Sequence, residues 1–194
     1  MRIILHRRKR NRKRRVVLLT IILLIFLLFA FLLLFPNVGK ALLGKIYARK
    51  AESGPLEGPY PVAYIYDGDT LAVMIDSKEV TIRMIGIDTP ESVNRDQSKN
   101  TPEGMEVSLW LHDHLNGRKV WLEYDEQRYD RYGRDLAYVW LDEGETMVED
   151  ELIRMGMALT LPMEPNVRYS SRFGELERQA KNDKAGFWGT GFFK

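Results

Sequence analysis

The longest apolar run of the chain lies near its start, at residues 16–35, and reads VVLLTIILLIFLLFAFLLLF. Thr20 is the only polar residue in this run, which carries no charge. A helix of this length spans about 30 Å, the thickness of the hydrocarbon core of a bilayer. A helix that packs on a soluble domain needs a polar face, and this run has none. The pattern therefore predicts one transmembrane helix over residues 16–36.

After residue 60, short segments of alternating apolar and polar residues are separated by turn-forming residues. This alternation is typical of strands that are buried on one face. The predicted strands cover residues 61–66, 70–75, 80–87, 119–124 and 135–141.

Three helices are predicted in the same region from capping signals and helical spacing. The sequence TPE at residues 101–103 combines a capping residue, a proline suited to the first turn and an acid near the positive end of the helix dipole. The sequence TMVE at residues 146–149 has the spacing of a capping box. Apolar residues at helical spacing predict a third helix over residues 171–184. Together the elements indicate an α+β fold, namely a five-stranded OB-fold β-barrel with three helices, preceded by one transmembrane helix.

A linker is predicted between the apolar run and the barrel, over residues 37–59. The stretch ESGPLEGPY at residues 52–60 contains two prolines and two glycines, which neither a helix nor a strand tolerates well. The predicted organisation is therefore a basic segment (1–15), a transmembrane helix (16–36), a linker (37–59) and a monomeric soluble domain (60–194).

Charge is distributed very unevenly along the chain. Residues 1–15 contain nine Lys and Arg side chains and no acid. Because basic residues next to a transmembrane helix stay on the cytoplasmic side, the N-terminus is expected inside the cell and the domain outside, at the cell membrane. Cleavage as a signal peptide followed by secretion is the alternative. It is disfavoured because the apolar regions of signal peptides are shorter, about 7 to 15 residues.

The remainder of the chain, after Arg15, has 20 basic and 27 acidic side chains, a net charge of −7. Cysteine is absent, which excludes disulfides, thiolate metal sites and a cysteine nucleophile.

Four acids lie at the ends of predicted strands: Asp67, Asp69, Asp88 and Glu91. Carboxylates gathered at one end of a barrel repel each other unless a cation lies among them, and hard oxygen ligands of this kind suit Ca²⁺. The chain has neither EF-hand spacing nor a Cys/His set for zinc. Asp-Gly and Asp-Thr-Pro are also ordinary turn sequences, so a set of turn-forming acids remains an equal alternative.

Arginines stand out at two further places. Arg83 interrupts the otherwise apolar strand TIRMIGI, where a guanidinium group is unfavourable unless it is paired or lines a site. The segment DRYGRD at residues 130–135 places two arginines around a glycine before a strand. The alternatives for Arg83 are a structural ion pair or an outward-facing strand position, and the alternative for residues 130–135 is a solvated hairpin loop.

Three motifs taken together resemble the thermonuclease (staphylococcal-nuclease-like) family. They are DGDT at residues 67–70, RMIGIDTPE at residues 83–91 and YGR at residues 132–134, and GFW at residues 186–188 is similar to the family's C-terminal sequence. The resemblance covers residues 62–188. It implies an OB-fold nuclease that cleaves DNA and RNA with Ca²⁺ and leaves 3′-phosphates.

The same resemblance implies roles for individual residues. Asp69 and Asp88 would be carboxylate ligands of Ca²⁺, and Thr89 would be a ligand through its backbone carbonyl. Glu91 would position or deprotonate the attacking water. The guanidinium of Arg83 would hold the scissile phosphate.

The resemblance also implies that Arg134 holds the scissile phosphate, that both Arg83 and Arg134 stabilise its developing charge, and that Arg131 and Tyr132 lie near the terminal phosphate or sugar. The chain departs from the family in two respects. It is acidic after Arg15, and it reads LTLPMEPN at residues 159–166 where relatives carry tyrosines for base stacking. The acidic charge predicts weaker and more salt-sensitive nucleic-acid binding. The missing tyrosines argue against base stacking at this segment and against a base preference that depends on it. A non-catalytic nucleic-acid-binding module on the cell surface is the alternative function.

Overall fold

The structure, a computed structural model, describes Thr20, residues 54–93 and residues 100–194. Apart from Thr20, the predicted basic segment (1–15) and transmembrane helix (16–36) lie outside these ranges, as does the predicted linker up to residue 53. Within the described ranges, no helix is both long and apolar enough to cross a membrane. The strands and helices given below belong to one compact unit, Glu52–Lys194.

The elements follow one another in the order that the sequence predicts, with three short strands added. The strands are β1 (Leu56–Asp67), β2 (Thr70–Ile75), β3 (Lys78–Met84), β4 (Ile87–Asp88), β5 (Lys119–Glu123), β6 (Asp135–Leu141), β7 (Thr146–Met147) and β8 (Leu159–Thr160). The helices are α1 (Pro102–Leu115), α2 (Val148–Arg154), α3 (Ser170–Asn182) and the short α4 (Gly186–Thr190).

Five of the strands form a closed barrel. Their order is β3-β2-β1-β5-β6, and β3 also pairs with β6, which closes the sheet on itself. The closing pair is parallel, with Ile82 opposite Asp135 and Met84 opposite Ala137, whereas the other barrel neighbours are antiparallel. The predicted α+β barrel of five strands with three longer helices is therefore confirmed in the part of the chain from residue 54 onward.

The first strand begins earlier than its sequence predicts. Residues 56–59, interpreted above as linker, are part of β1, and Leu56 and Glu57 pair with Glu123 and Leu122 of β5. The register shifts between Glu57 and Tyr60, so Gly58 and Pro59 occupy an irregularity in the ladder. A bulge accommodates a proline, which has no N–H to donate. The linker interpretation of these residues is wrong because long-range pairing outweighs the local proline and glycine signals.

Helix α1 starts as predicted, whereas the start of α2 differs. The hydroxyl of Thr101 accepts a hydrogen bond from the Gly104 N–H at 3.0 Å, which caps α1. Thr146 belongs to β7 and does not cap α2. The fully buried carboxylate of Glu149 accepts hydrogen bonds from the Val139 N–H, at 3.0 and 3.3 Å. Glu149 thus links α2 to the barrel, and burial raises its pKa well above the ordinary value.

A second buried carboxylate, that of Glu123, connects the barrel to the segment before α3. It accepts hydrogen bonds from the indole N–H of Trp140 at 2.8 Å and from the Tyr169 hydroxyl at 2.9 Å. It also pairs with the Arg168 guanidinium at 2.6 Å. A carboxylate with no exposed surface is tolerated in a core only when its oxygens are satisfied in this way.

Glu123→Gln tests the importance of this network for stability. The amide removes the shorter of the two ion pairs of Arg168, which keeps Asp125 at 3.3 Å, and it disturbs the buried hydrogen bonds to Trp140 and Tyr169. We expect a loss of about 3 kcal/mol in the free energy of unfolding, measured by urea denaturation. Glu126→Gln is the matched control, because it removes the same charge from an exposed position in the same segment and should change stability by less than about 0.5 kcal/mol. Equal stability of the two variants would contradict a structural role for the Glu123 network.

Candidate active site

A cleft of about 440 Å³ opens at the end of the barrel where β1, β3 and β4 finish. Five of the eight residues to which the family resemblance assigns a role line it. The lining residues are Tyr66, Asp67, Asp69, Thr70, Arg83, Asp88, Glu91, Val93 and Arg134. Residues from three separate motifs therefore meet in one cleft.

The guanidinium of Arg83 forms the base of the cleft and is only 7% exposed. Its Nη2 lies 2.9 Å from Asp69 Oδ2 and 3.4 Å from Asp88 Oδ1, and its Nη1 donates to the Met84 carbonyl at 2.6 Å. Arg83 is therefore ion-paired and also lines the cleft, and its role toward a substrate stays a prediction. A guanidinium has five N–H donors, so it can also donate to a bound anion.

Asp69 is a buried carboxylate held at the start of β2. Its Oδ1 accepts a hydrogen bond from the Thr70 hydroxyl at 2.8 Å, and its Oδ2 accepts one from the Thr89 N–H at 3.4 Å. Burial raises the pKa of Asp69, and the positive charge of Arg83 opposes that rise. A second positive charge in the cleft would favour the ionised form further.

The residues predicted as calcium ligands supply only oxygen atoms. The carboxylates of Asp69 and Asp88 share one donor atom of Arg83 and so lie close together. The Thr89 hydroxyl beside them is buried and lacks a hydrogen-bond partner among the described residues. Within the described ranges no group of three or more His, Cys, Asp or Glu side chains could hold a metal ion. The donor set fits Ca²⁺ provided that backbone carbonyls and water complete its shell of six to eight oxygens.

The loop that carries Glu91 is fixed by a residue to which the sequence assigned no individual role. The Oδ1 atom of Asp67 accepts hydrogen bonds from the Ser92 hydroxyl at 2.6 Å, the Ser92 N–H at 3.3 Å and the Gly68 N–H at 2.8 Å. Asp67 therefore ties the loop after β4 to the turn after β1. Ser92 was not identified from the sequence, because its contact with Asp67 joins residues 25 positions apart.

Helix α1 supports the same loop from the other side. The Thr101 N–H donates to the Glu91 carbonyl at 2.9 Å. A Cβ atom on Gly104 would lie 2.2 Å from that carbonyl oxygen and 2.7 Å from the Pro90 carbonyl oxygen. The first turn of the helix thus approaches the backbone of Glu91 as closely as only glycine allows. A glycine inside a predicted helix was the available sequence signal for this contact.

Arg134 reaches the cleft from a tight loop that Asp130 organises. The carboxylate of Asp130 accepts hydrogen bonds from the Tyr132 N–H at 2.8 Å, the Arg134 N–H at 2.9 Å and the Arg134 Nε at 2.7 Å. Burial alone would raise the pKa of Asp130, but these hydrogen bonds and the charge of Arg134 hold it below its ordinary value. Gly133 has φ of +79°, which closes the loop. The Asp130 contact uses Nε, so the terminal nitrogens of Arg134 can reach a ligand.

The other two residues of this loop with an implied role lie beside the cleft. Arg131 and Tyr132 line a neighbouring pocket of about 310 Å³, which shares Arg134 with the cleft. The Arg131 Nη2 donates to the Tyr132 hydroxyl at 2.7 Å, and the guanidinium carbon lies 4.8 Å from the ring centroid. Thr89 lines neither space with its side chain. Arg134 is thus the connection between the two pockets.

Known proteins are similar to this chain over most of the domain. The sequence model of the family described as staphylococcal nuclease homologue matches residues 81–190. The thermonuclease of Staphylococcus hyicus is 41% identical over 146 residues, which cover 71% of this chain and 85% of that protein. The thermonuclease of Staphylococcus intermedius is 35% identical over 129 residues, covering 66% of this chain and 75% of that protein.

A Bacillus relative shows the same similarity over a smaller share of its length. The endonuclease YncB of Bacillus subtilis (strain 168) is 38% identical over 124 residues, which cover 63% of this chain and 57% of that protein. The family match covers more than half of the chain and includes β3 from residue 81 onward, β4, β6 and the loop that carries Arg134. On the evidence of the barrel, the cleft and these matches, the chain belongs to the staphylococcal nuclease homologue family.

Proposed function

We propose that this chain is a calcium-dependent endonuclease that hydrolyses phosphodiester bonds of DNA and RNA and leaves 3′-phosphates. The observation that carries the proposal is the gathering of Asp69, Arg83, Asp88, Glu91 and Arg134 in one cleft. The thermonucleases and the endonuclease named above support the reaction class. Calcium and the position of the broken bond are the parts of the proposal that go beyond the family assignment.

Hydrolysis needs a water molecule opposite the leaving group and donors around the phosphate. Glu91 accepts a hydrogen bond from the water and takes its proton as the water oxygen bonds to phosphorus. The bond from phosphorus to the 5′-oxygen breaks, and that oxygen gains a proton and leaves as a hydroxyl. The phosphate remains on the 3′-oxygen.

Negative charge that develops on the non-bridging oxygens is met by two guanidinium groups. Arg83 approaches from the base of the cleft and Arg134 from its wall. Each has planar, forked donors that suit phosphate oxygens. Both are held by carboxylates, Arg83 by Asp69 and Arg134 by Asp130, so they are oriented before substrate binds. Donors aligned in advance in this way are each worth about 100-fold or more in rate.

The charge of the cleft supports the proposed requirement for a cation. Its lining includes four carboxylates and two guanidinium groups, an unfavourable balance for binding a phosphate anion. The four acids are Asp67, Asp69, Asp88 and Glu91. Asp69, Asp88 and the Thr89 backbone carbonyl would hold Ca²⁺. When bound, the ion neutralises phosphate charge and acts as a Lewis acid.

We further propose that the nuclease domain acts as a monomer outside the cell and is held at the membrane by residues 16–36. The support for the anchor is the uninterrupted apolar run next to nine basic side chains. The linker would let the domain reach substrates away from the bilayer.

The nuclease prediction is tested with the full chain, purified in a nonionic detergent, on DNA and RNA. With Ca²⁺ we expect digestion to fragments that a polymerase extends only after phosphatase treatment, and a chelator should abolish the reaction. Glu91→Gln and Arg134→Ala should each lower kcat by about 100-fold or more, because each removes a transition-state contact. Arg178→Ala, an exposed arginine on α3, is the control and should match the unmodified chain.

Three outcomes would contradict this proposal. If the Glu91→Gln and Arg134→Ala variants were as active as the unmodified chain, the roles assigned to these two residues would be refuted. Products that a polymerase extends directly would refute cleavage on the 5′-oxygen side. Binding of nucleic acid without calcium-dependent cleavage would favour the non-catalytic binding module.

Gly104→Ala tests the support of Glu91 by helix α1. The added methyl group meets the Glu91 and Pro90 carbonyls, so the loop must move and we expect kcat to fall by about tenfold or more. Gly174→Ala on α3 is the matched control. Its Cβ would meet nothing within 4 Å, so it should keep full activity and gain about 1 kcal/mol of stability. If both variants cleave equally fast, the contact does not position Glu91.

The proposed location is tested on intact cells that produce the chain with an N-terminal epitope tag. We expect the chain in the membrane fraction, with external protease removing the nuclease domain while the tag stays protected inside. A tag that is digested with the domain, or a domain protected until the cells are lysed, would refute the orientation. Recovery of an untagged, shortened domain from the medium would instead indicate signal-peptide cleavage.

A further inference from the structure

Two tyrosines on β1 lie on the outside of the barrel next to the cleft. Tyr64 is 59% exposed and Tyr66 is 39% exposed. Their ring centroids are 5.0 Å apart and the ring planes are inclined by 63°, so the two rings contact each other edge to face. The pairing of β1 with β2 shifts register between Ile65 and Asp67, and the two rings meet on the exposed side of β1 beside this irregularity. Neither ring belongs to the core of the domain.

The pair is continuous with the cleft. Tyr66 is itself a lining residue of the cleft and directly precedes Asp67. Tyr64 lies two residues earlier on β1 and does not line the cleft. The Tyr66 hydroxyl donates to the Glu79 carboxylate on β3 at 2.8 Å. One edge of the ring is therefore fixed to the neighbouring part of the sheet while much of its surface remains in water. Val93, which is 71% exposed, lines the same cleft.

The mechanism proposed above uses neither tyrosine. It leaves the source of affinity for nucleic acid incompletely explained, because the chain after Arg15 has a net charge of −7. Basic contacts to phosphates supply most non-specific binding of nucleic acid, and here they are few. Aromatic side chains provide a second source of affinity, since every base has a face that can stack on a ring.

We propose that Tyr64 and Tyr66 form a stacking surface for unpaired bases of a single-stranded DNA or RNA segment whose scissile phosphate lies in the cleft. The inference rests on the proposed nuclease function and adds a substrate class to it. Paired bases present their faces to one another within the duplex. Only an unpaired strand, or a duplex that has opened locally, can therefore use the two rings.

The position of the pair also gives the substrate a path. The pocket lined by Arg131 and Tyr132 joins the cleft at Arg134, and Tyr66 lines the cleft but not that pocket. A strand that occupies both would pass Arg134 and then reach Tyr66 and Tyr64. The tyrosine pair thus extends the binding surface beyond the residues that the sequence motifs identify.

Tyr64→Ala is the variant of choice, because Tyr64 does not line the cleft and an exposed substitution has little effect on folding. Binding of a fluorescein-labelled single strand to the full chain is measured by fluorescence anisotropy in chelator, where cleavage is not required. We expect Kd to rise about tenfold, the factor that corresponds to ~1.4 kcal/mol, within the range for one stacked base. Tyr64→Phe keeps the ring and should bind as the unmodified chain does.

Two features distinguish stacking from other losses. The fold-change for Tyr64→Ala should be the same at about 50 and about 200 mM salt, whereas the loss for Arg131→Ala should shrink as salt rises. Leu109→Ala removes an exposed apolar side chain of α1 and controls for a general loss of apolar surface, so it should leave Kd unchanged. A set of single strands is then compared, each of which lacks the base at one position. Loss of the base at one particular position should weaken binding to the unmodified chain but not to the Tyr64→Ala variant.

Several results would overturn the inference. The first is an unchanged Kd for Tyr64→Ala, and the second is a loss of affinity in Tyr64→Phe as large as that in Tyr64→Ala. The third is that every abasic position has the same effect on the unmodified chain as on Tyr64→Ala. A loss that disappears at higher salt would also refute stacking. Because binding is measured without Ca²⁺, absence of cleavage by the unmodified chain would refute the proposed nuclease function alone and leave the tyrosine result readable.

Discussion

The buried ion pair between Arg83 and Asp69 is the interaction on which the cleft depends. Thr70 and Arg83 are opposite each other in the β2–β3 ladder, so the pair joins two neighbouring strands at the end of the barrel. A buried guanidinium without its anion is destabilising by several kcal/mol, and a buried carboxylate without its cation is equally unfavourable. Each charge therefore stabilises the other in a place where water is largely excluded. Asp88, which also contacts Arg83, is drawn toward the same point.

The other functional groups are held around this pair by contacts from outside the barrel. Asp67 and α1 fix the loop that carries Glu91, and Asp130 fixes Arg134. Each side chain that would contact the phosphate is thus held in place by another group of the protein, directly or through the loop that carries it. This arrangement places strongly polar groups in one cleft without disturbing the apolar interior of the barrel. The excess of carboxylates that results is the physical reason for expecting a divalent cation there.

Much of this could be predicted from sequence, because strand alternation, the cap of α1 and the DGDT, DTPE and YGR motifs are local patterns. The predictions failed where a distant partner decides the structure. Residues 56–59 belong to β1 because they pair with β5. Glu149 was predicted to belong to a capping box, but its carboxylate accepts a hydrogen bond from the Val139 N–H of the barrel. The roles of Asp67 and Gly104 depend on contacts with a loop that no spacing rule connects to them. Arg83 illustrates the middle case: the sequence showed that it needed a partner, but only the fold shows that the partner is Asp69.

The proposed function requires one cleft to hold a divalent cation and the scissile phosphate at the same time. Two ligands that neutralise each other in one site must raise each other's affinity by the same factor. Calorimetric titration of Ca²⁺, with and without a short oligonucleotide that carries a non-cleavable phosphonate linkage, measures this coupling. We expect Ca²⁺ affinity at least about tenfold higher with the oligonucleotide, a coupling of ~1.4 kcal/mol or more that Asp88→Asn weakens. The same Ca²⁺ affinity with and without the oligonucleotide would refute a shared site for the cation and the phosphate.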